Sequence, residues 1–239
     1  MNIFQKGFNF GQDGPGNRLV YHLQGCNMRC PWCSNPEGMD KNPSHMREHN
    51  KNRTEITVDG LVDEILRSRA MFFGGGGVTL TGGEPTLQFD EVFELLKKLT
   101  EEKINTCVET NGSHKRLAEL APFINHLIID LKHTNERTHI EFTGITAETT
   151  KKNIIKAAEC GVDLTVRIPL INGFNATNTD AEDFRKFFSQ LDKSKFKAEL
   201  LPYHEYGKDK WAKNHMEYKM QDGFVTDEQI AEFSKILNS

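Results

Sequence analysis

Three cysteines, Cys26, Cys30 and Cys33, fall within eight consecutive positions of a 239-residue chain that has only five. In the stretch Cys26-Asn27-Met28-Arg29-Cys30-Pro31-Trp32-Cys33 the three thiolates can converge from one short loop, and three sulfurs can hold three corners of a four-iron cluster. A structural zinc site is a poorer match. It needs four closed ligands, and the nearest further candidates, His22 and His45, stand at no finger or ribbon spacing. An electron-transfer ferredoxin cluster would want a fourth cysteine, whereas Cys107 and Cys160 are isolated and read as small buried hydrophobes. The expectation is a cluster with one iron left open to a ligand. An odd and crowded cysteine set also argues against a disulfide framework.

Such a loop has to be presented by ordered elements. The chain alternates β-rich runs with helical stretches, the pattern of a parallel sheet covered by crossover helices. Strands are predicted at Arg18–Gly25, Val78–Thr81, Asn105–Glu109, His126–Leu131, Asp163–Leu170 and Lys197–Leu201, several of them apolar throughout. Helices are predicted at Asp59–Met71, Phe89–Glu102, Ser113–Leu120, Thr149–Cys160, Thr179–Leu191 and Thr226–Leu237. The tetraglycine Gly74–Gly77 marks a turn before the second strand, and the polar run Asp40–Arg53 reads as an exposed loop. Six βα units are too few to close an eight-stranded barrel, so these runs fit either a partial barrel or an open doubly wound sheet. In both, sites form at the C-terminal ends of the strands.

Composition narrows the partners. With 34 acidic against 30 basic residues and a net charge of −4, the chain lacks the basic excess of a nucleic-acid binder. No stretch approaches about 18 apolar residues, and the N-terminus has no signal-peptide pattern, so neither a membrane nor secretion is expected and the cytoplasm is. No internal repeat divides residues 1–239, which read as a single domain. The run Lys208-Asp209-Lys210 with Trp211 and Lys213 reads as a solvated face, and Phe72-Phe73 as core.

The CxxxCxxC spacing with Trp32 before its last cysteine resembles the radical S-adenosylmethionine (SAM) superfamily, and Thr81-Gly82-Gly83-Glu84-Pro85 resembles that superfamily's GGEP segment. Further elements resemble the glycyl radical enzyme activating enzymes, especially the pyruvate formate-lyase type. They are Asp13-Gly14-Pro15-Gly16-Asn17-Arg18, Ser34-Asn35-Pro36-Glu37, Glu109-Thr110-Asn111-Gly112, Ile129-Asp130-Leu131-Lys132, Val166-Arg167-Ile168-Pro169 and Leu200-Leu201-Pro202-Tyr203-His204-Glu205-Tyr206-Gly207-Lys208, in order over residues 5–235.

The resemblance implies a partial (β/α)6 TIM-like barrel and reductive cleavage of SAM at a 4Fe-4S cluster held by Cys26, Cys30 and Cys33. The 5'-deoxyadenosyl radical so formed would create a glycyl radical on a partner enzyme under anaerobic conditions, with flavodoxin or ferredoxin as electron donor. It further implies SAM contacts from Trp32, Asn35, Gly82, Gly83, Glu84, Asp130, Lys132, Arg167 and His204. Glu84 is expected to face the SAM ammonium, and Glu109 and Asp130 to lie beside a monovalent cation. Glu109 stands where the pyruvate formate-lyase type has Asp, one methylene shorter. Many activators of glycyl radical decarboxylases and dehydratases carry a cysteine-rich ferredoxin-like insert after the first motif, and Ser34–Gly83 contains no cysteine. A monomer is expected. The alternatives are a radical SAM enzyme acting on a small molecule or peptide, and a non-catalytic iron-sulfur or zinc module.

Overall fold

The computed structural model describes residues 1–41 and 54–239. Of the loop expected over Asp40–Arg53, residues 42–53 lie outside the described residues, His45 among them. All six predicted strands form, as β2 (Asn17–Leu23), β4 (Gly77–Gly82), β5 (Thr106–Thr110), β6 (His126–Asp130), β7 (Asp163–Leu170) and β8 (Phe196–Pro202). They pair in parallel in that order. Two strands were not foreseen: β1 (Asn2–Phe10) runs antiparallel to β2, and the two-residue β3 (Thr54–Glu55) pairs with β1. The result is one eight-stranded sheet in the order β3-β1-β2-β4-β5-β6-β7-β8, a partial barrel left open between its two edges.

The helices α1 (Val58–Arg67), α2 (Phe89–Glu101), α4 (Glu148–Cys160), α5 (Asn178–Phe188) and α7 (Asp227–Leu237) fall where their periodicity places them. The short helices α3 (Glu136–Thr143) and α6 (Lys208–Lys213) were not foreseen, having too few apolar positions for a legible stripe. The helix expected over Ser113–Leu120 is replaced by single 3₁₀ turns at Leu117–Glu119 and Ala121–Phe123. Asn153 of α4 braces this stretch: its Nδ2 donates to the carbonyls of Gly112 and His114, both at 2.8 Å, and His114 O also takes the N–H of Leu117 in a single turn.

Because strand side chains alternate, the sheet has two unlike faces. Tyr21, Leu23, Leu80, Val108, Ile129, Val166 and Ile168 point outward and join Leu61, Ile65, Leu95, Leu96, Ile154 and Phe184 of the helices in the main apolar core. Residues one step along the same strands, Thr79, Thr81, Cys107, Glu109, Asp130 and Arg167, form a polar interior. Arg18 closes its floor. The side chain is fully buried and donates through Nε to Thr79 Oγ1 at 2.7 Å, and through its terminal nitrogens to Val78 O at 2.6 Å, Asn105 Oδ1 at 2.9 Å and Pro15 O at 3.1 Å. Around it the two glycine-rich turns touch: a Cβ on Gly16, whose φ is +69°, would lie 2.4 Å from Gly76 N. Phe72 packs on the main core as expected, but Phe73 is 56% exposed and stacks on exposed Phe10.

Arg18→Met should therefore lower the unfolding free energy by at least about 3 kcal/mol, at roughly 1–3 kcal/mol for each buried polar group stranded. Urea unfolding of the metal-free chain measures it, and a loss under about 1 kcal/mol would show that the floor does not depend on Arg18.

Candidate functional site

At the C-terminal mouth of the barrel a cavity of about 300 Å³ is lined by Cys26, Cys30 and Cys33 on one side and by the ends of β4 to β8 on the other. Of the expected site residues, Trp32, Asn35, Gly82, Gly83, Glu109, Asp130, Lys132, Arg167 and His204 all reach it. Glu84 does not. The sequence places Thr81, Thr110 and Tyr203 in flanking positions without marking them, yet they line the same space.

The cysteine loop leaves β2 through Gly25, whose φ of +101° suits glycine. Cys26 Sγ accepts the N–H of Met28 at 3.3 Å and Cys33 Sγ that of Asn35 at 3.4 Å. All three thiols are free, and burial pushes each upward, Cys26 and Cys33 to about 12, while the Lys132 ammonium pulls the other way. Metal must displace protons to be bound here. Among the described residues no three His, Cys, Asp or Glu side chains gather as they would on one metal ion. A four-iron cluster makes no such demand, because it takes one thiolate at each corner. Three uncommitted sulfurs facing one cavity, two already oriented by N–H donors, fit that cluster better than a mononuclear zinc site. Cys107 is buried as expected, but Cys160, at the end of α4, is exposed.

Glu84 is buried behind the cavity wall and held by its own neighbours. Its carboxylate accepts from Thr86 N at 3.0 Å, Thr86 Oγ1 at 2.5 Å, Thr110 Oγ1 at 2.7 Å and Asn111 N at 2.7 Å, so it knots the turn after β4 to the end of β5. Burial pushes this carboxyl up, and those donors pull it back. The adjacent glycines supply the wall instead.

The far wall alternates in charge. Lys132 Nζ lies 3.0 Å from Asp130 Oδ2, and Arg167 contacts Glu109 at 3.2 Å and Glu199 at 2.8 Å. The register makes this possible, since Asp130 pairs with Arg167 and Arg167 with Glu199 across β6, β7 and β8. Burial pushes Glu109 up to about 7 against the pull of Arg167, while burial of Lys132 and Arg167 is outweighed by their carboxylates, which hold both above their ordinary values. A monovalent cation at Glu109 and Asp130 has to compete with these two ion pairs. At the rim His204 stacks on exposed Tyr206 with centroids 4.3 Å apart, and burial lowers its pKa. Trp32 packs on Phe174 at 4.6 Å and backs the cysteine loop with an apolar wall.

The run Lys208-Asp209-Lys210 with Trp211 is not the solvated face its charges suggest. Trp211 is buried, and with Lys210 it contacts the cysteine loop. Spacing could have shown this, because Gly207, Lys210 and Trp211 recur at i, i+3 and i+4.

The family model described as the radical SAM superfamily matches residues 20–187. The chain is 32% identical over 220 residues to the pyruvate formate-lyase-activating enzyme of Staphylococcus epidermidis, covering 88% of this chain and 84% of that enzyme. It is 31% identical over 227 residues to its namesake in Staphylococcus aureus, covering 91% and 86%. Among solved structures, a domain of a pyruvate-formate lyase-activating enzyme from Bacteroides vulgatus superposes with a TM-score of 0.56 at 29% identity, over 69% of this chain and 94% of that one. A radical SAM methyltransferase from Sphaerobacter thermophilus, 19% identical, shares the fold with a TM-score of 0.62 over 97% of this chain and 65% of its own.

Two outcomes follow from the geometry. Glu84→Gln puts an amide donor among donors, so it should lower the unfolding free energy by about 1–3 kcal/mol in chemical denaturation, and no change would remove Glu84 as the knot. His22, on the interior face of β2, has no hydrogen-bond partner for Nδ1 among the described residues, and burial lowers its pKa from 6.5 to about 4. Between those values the unfolded chain binds a proton that the folded chain refuses. This residue's contribution is therefore whole above the upper value and lost as pH falls toward the lower one, by up to about 1.4 kcal/mol per pH unit. Unfolding at pH values across this window should show a shallower acid loss for His22→Gln than for the parent chain; equal slopes would contradict it.

Proposed function

Since the chain belongs to the radical SAM superfamily and, within it, to the family of the pyruvate formate-lyase-activating enzymes, we propose that Cys26, Cys30 and Cys33 hold three corners of its 4Fe-4S cluster and leave one iron for SAM. The chain is a radical SAM activase of a glycyl radical enzyme. The carrying observation is the placement of the three thiols in one cavity with Gly82, Gly83 and the strand-end charges Asp130, Lys132 and Arg167. When bound, cluster and SAM supply reductive cleavage of the sulfonium and hydrogen abstraction, and no general base is needed from the protein.

The chain's own residues bind and exclude. Lys132 offsets the negative charge gathered by the thiolates, and Asp130 anchors Lys132 in place. Glycines at positions 82 and 83 bring backbone against the cavity, where the SAM amino group can meet carbonyls. Arg167, held by Glu109 and Glu199, presents a fixed guanidinium for the SAM carboxylate. Asn35 and His204 complete the rim, and the Trp32 and Phe174 wall keeps water from the cysteine loop.

The protein substrate in this reading is pyruvate formate-lyase or a close glycyl radical enzyme, a choice supported by the cysteine-free stretch Ser34–Gly83. The electron donor is flavodoxin or ferredoxin, acting on a monomer of one radical SAM domain in an anaerobic cytoplasm. The single sheet from Asn2 to Pro202, with α7 packed on α5 and β8, supports the one-domain reading. Among the described residues no helix is long and apolar enough to cross a membrane.

Reconstituted parent chain should carry roughly four irons, and Cys30→Ala should lose both the full cluster and SAM cleavage. An unchanged cleavage rate in Cys30→Ala would overturn the ligand assignment. Reduced protein, SAM and pyruvate formate-lyase should yield a glycyl radical signal by electron paramagnetic resonance; its appearance only with another glycyl radical enzyme would reassign the partner.

A further inference from the structure

One turn of α6 touches the third-cysteine loop residue by residue. Gly207, Lys210 and Trp211 lie on one helical face, being three and four positions apart. Gly207 is buried so closely on Ser34 that a Cβ there would lie 2.5 Å from Ser34 Cα. Lys210 Nζ donates to Asn35 Oδ1 at 2.7 Å and pairs with Glu37 at 3.0 Å. Buried Trp211 donates its indole N–H to the Cys33 carbonyl at 2.9 Å. Cys33, Ser34 and Asn35 thus each have a partner on the same turn. Asn35, held by its side chain, aims its own backbone N–H at Cys33 Sγ, 3.4 Å away.

We infer that α6 is a clamp on the Cys33 corner, with Lys210 and Trp211 as positioning residues that keep the Asn35 N–H on the Cys33 sulfur. The inference rests on reading Cys33 as a cluster ligand. Its physical basis is that hydrogen bonds to cluster sulfurs set reduction potential, because an N–H dipole favours the more negative, reduced state. Contacts that orient a ligand also govern retention of the metal, where their loss commonly costs 10–100-fold. The charged run thereby gains a function that its composition conceals: Lys210 and Trp211 turn inward, while Lys208 and Lys213 remain exposed.

The test uses the cluster-loaded protein. Lys210→Met keeps the stem and removes the tether; Trp211→Phe keeps an aromatic ring and removes the indole donor; Lys213→Met is the control. Both clamp variants should release iron to a chelator about tenfold faster than the parent and show a more negative midpoint potential, a shift that mere loss of stability in the metal-free chain would not produce. Lys213→Met should match the parent. Parental potential and iron release in both clamp variants would overturn the clamp, provided Cys33→Ala still loses the cluster. A full cluster in Cys33→Ala would instead overturn the ligand reading, and the clamp with it.

Discussion

The cysteine loop and the turn after β4 share a space too narrow for a side chain. A Cβ on Gly83 would lie 2.2 Å from the carbonyl oxygen of Gly25 and 2.5 Å from that of Gly38, both backbone atoms that cannot swing aside. Four hydrogen bonds fix this contact: Gly83 N to Leu23 O, Glu84 N to Gly25 O, Gly25 N to Gly38 O and Cys26 N to Met39 O, at 2.7–3.0 Å. It sets the start of the cysteine loop against the end of β4. Glycine at this position is thus required by packing alone, while the other side of the same turn lines the cavity.

From that contact outward the site is organised by electrostatics in a low-dielectric interior. Three thiols, once metal displaces their protons, place negative charge beside Lys132. That ammonium is balanced by Asp130, and the next strands carry Arg167 and Glu199, with Glu109 completing the alternation. Exposed pairs of this kind contribute little, but Lys132, Arg167 and Glu109 are largely buried, and removal of one partner strands them, whereas Glu199 stands at the exposed end of the series. The series is best regarded as a means of holding charges in fixed positions. Burying it is expensive, and the site gains direction in return.

Much of this was legible in the sequence, for identifiable reasons. The six parallel strands are legible from their β-branched and apolar residues facing the helices, and the cysteine spacing because a short loop must bring its sulfurs together. β1 was illegible because Lys6 and Gly7 interrupt its apolar residues and much of it is exposed. The 3₁₀ turns that stand in place of a helix over Ser113–Leu120 are braced by Asn153, 41 and 39 positions from its acceptors Gly112 and His114, a contact local sequence does not show. A carboxylate after two glycines suits an ammonium, but the bonds of Glu84 to Thr86, Thr110 and Asn111 are not legible, because hydrogen bonds between separate strands are not written in local sequence. Lys210 and Trp211 failed differently, since a charged run was read by composition where helical spacing held the information.

The apolar residues divide into two bodies, and this separates stability from chemistry. The main core lies between the sheet and its helices. A smaller cluster of Met28, Cys30, Trp32, Ile171, Phe174 and Tyr203 sits on the cavity side, with the polar interior between them. Packing energy scales with buried apolar area, so the main core holds the barrel together whether or not the cysteines carry metal. The smaller cluster packs on the cysteine loop together with the backbone contacts at Gly83 and the contacts from α6. Because the loop packs on a cluster separate from the main core, changing its contacts leaves the packing of the sheet and helices in place. That is what a site needs if it must admit a four-iron cluster after the chain has folded.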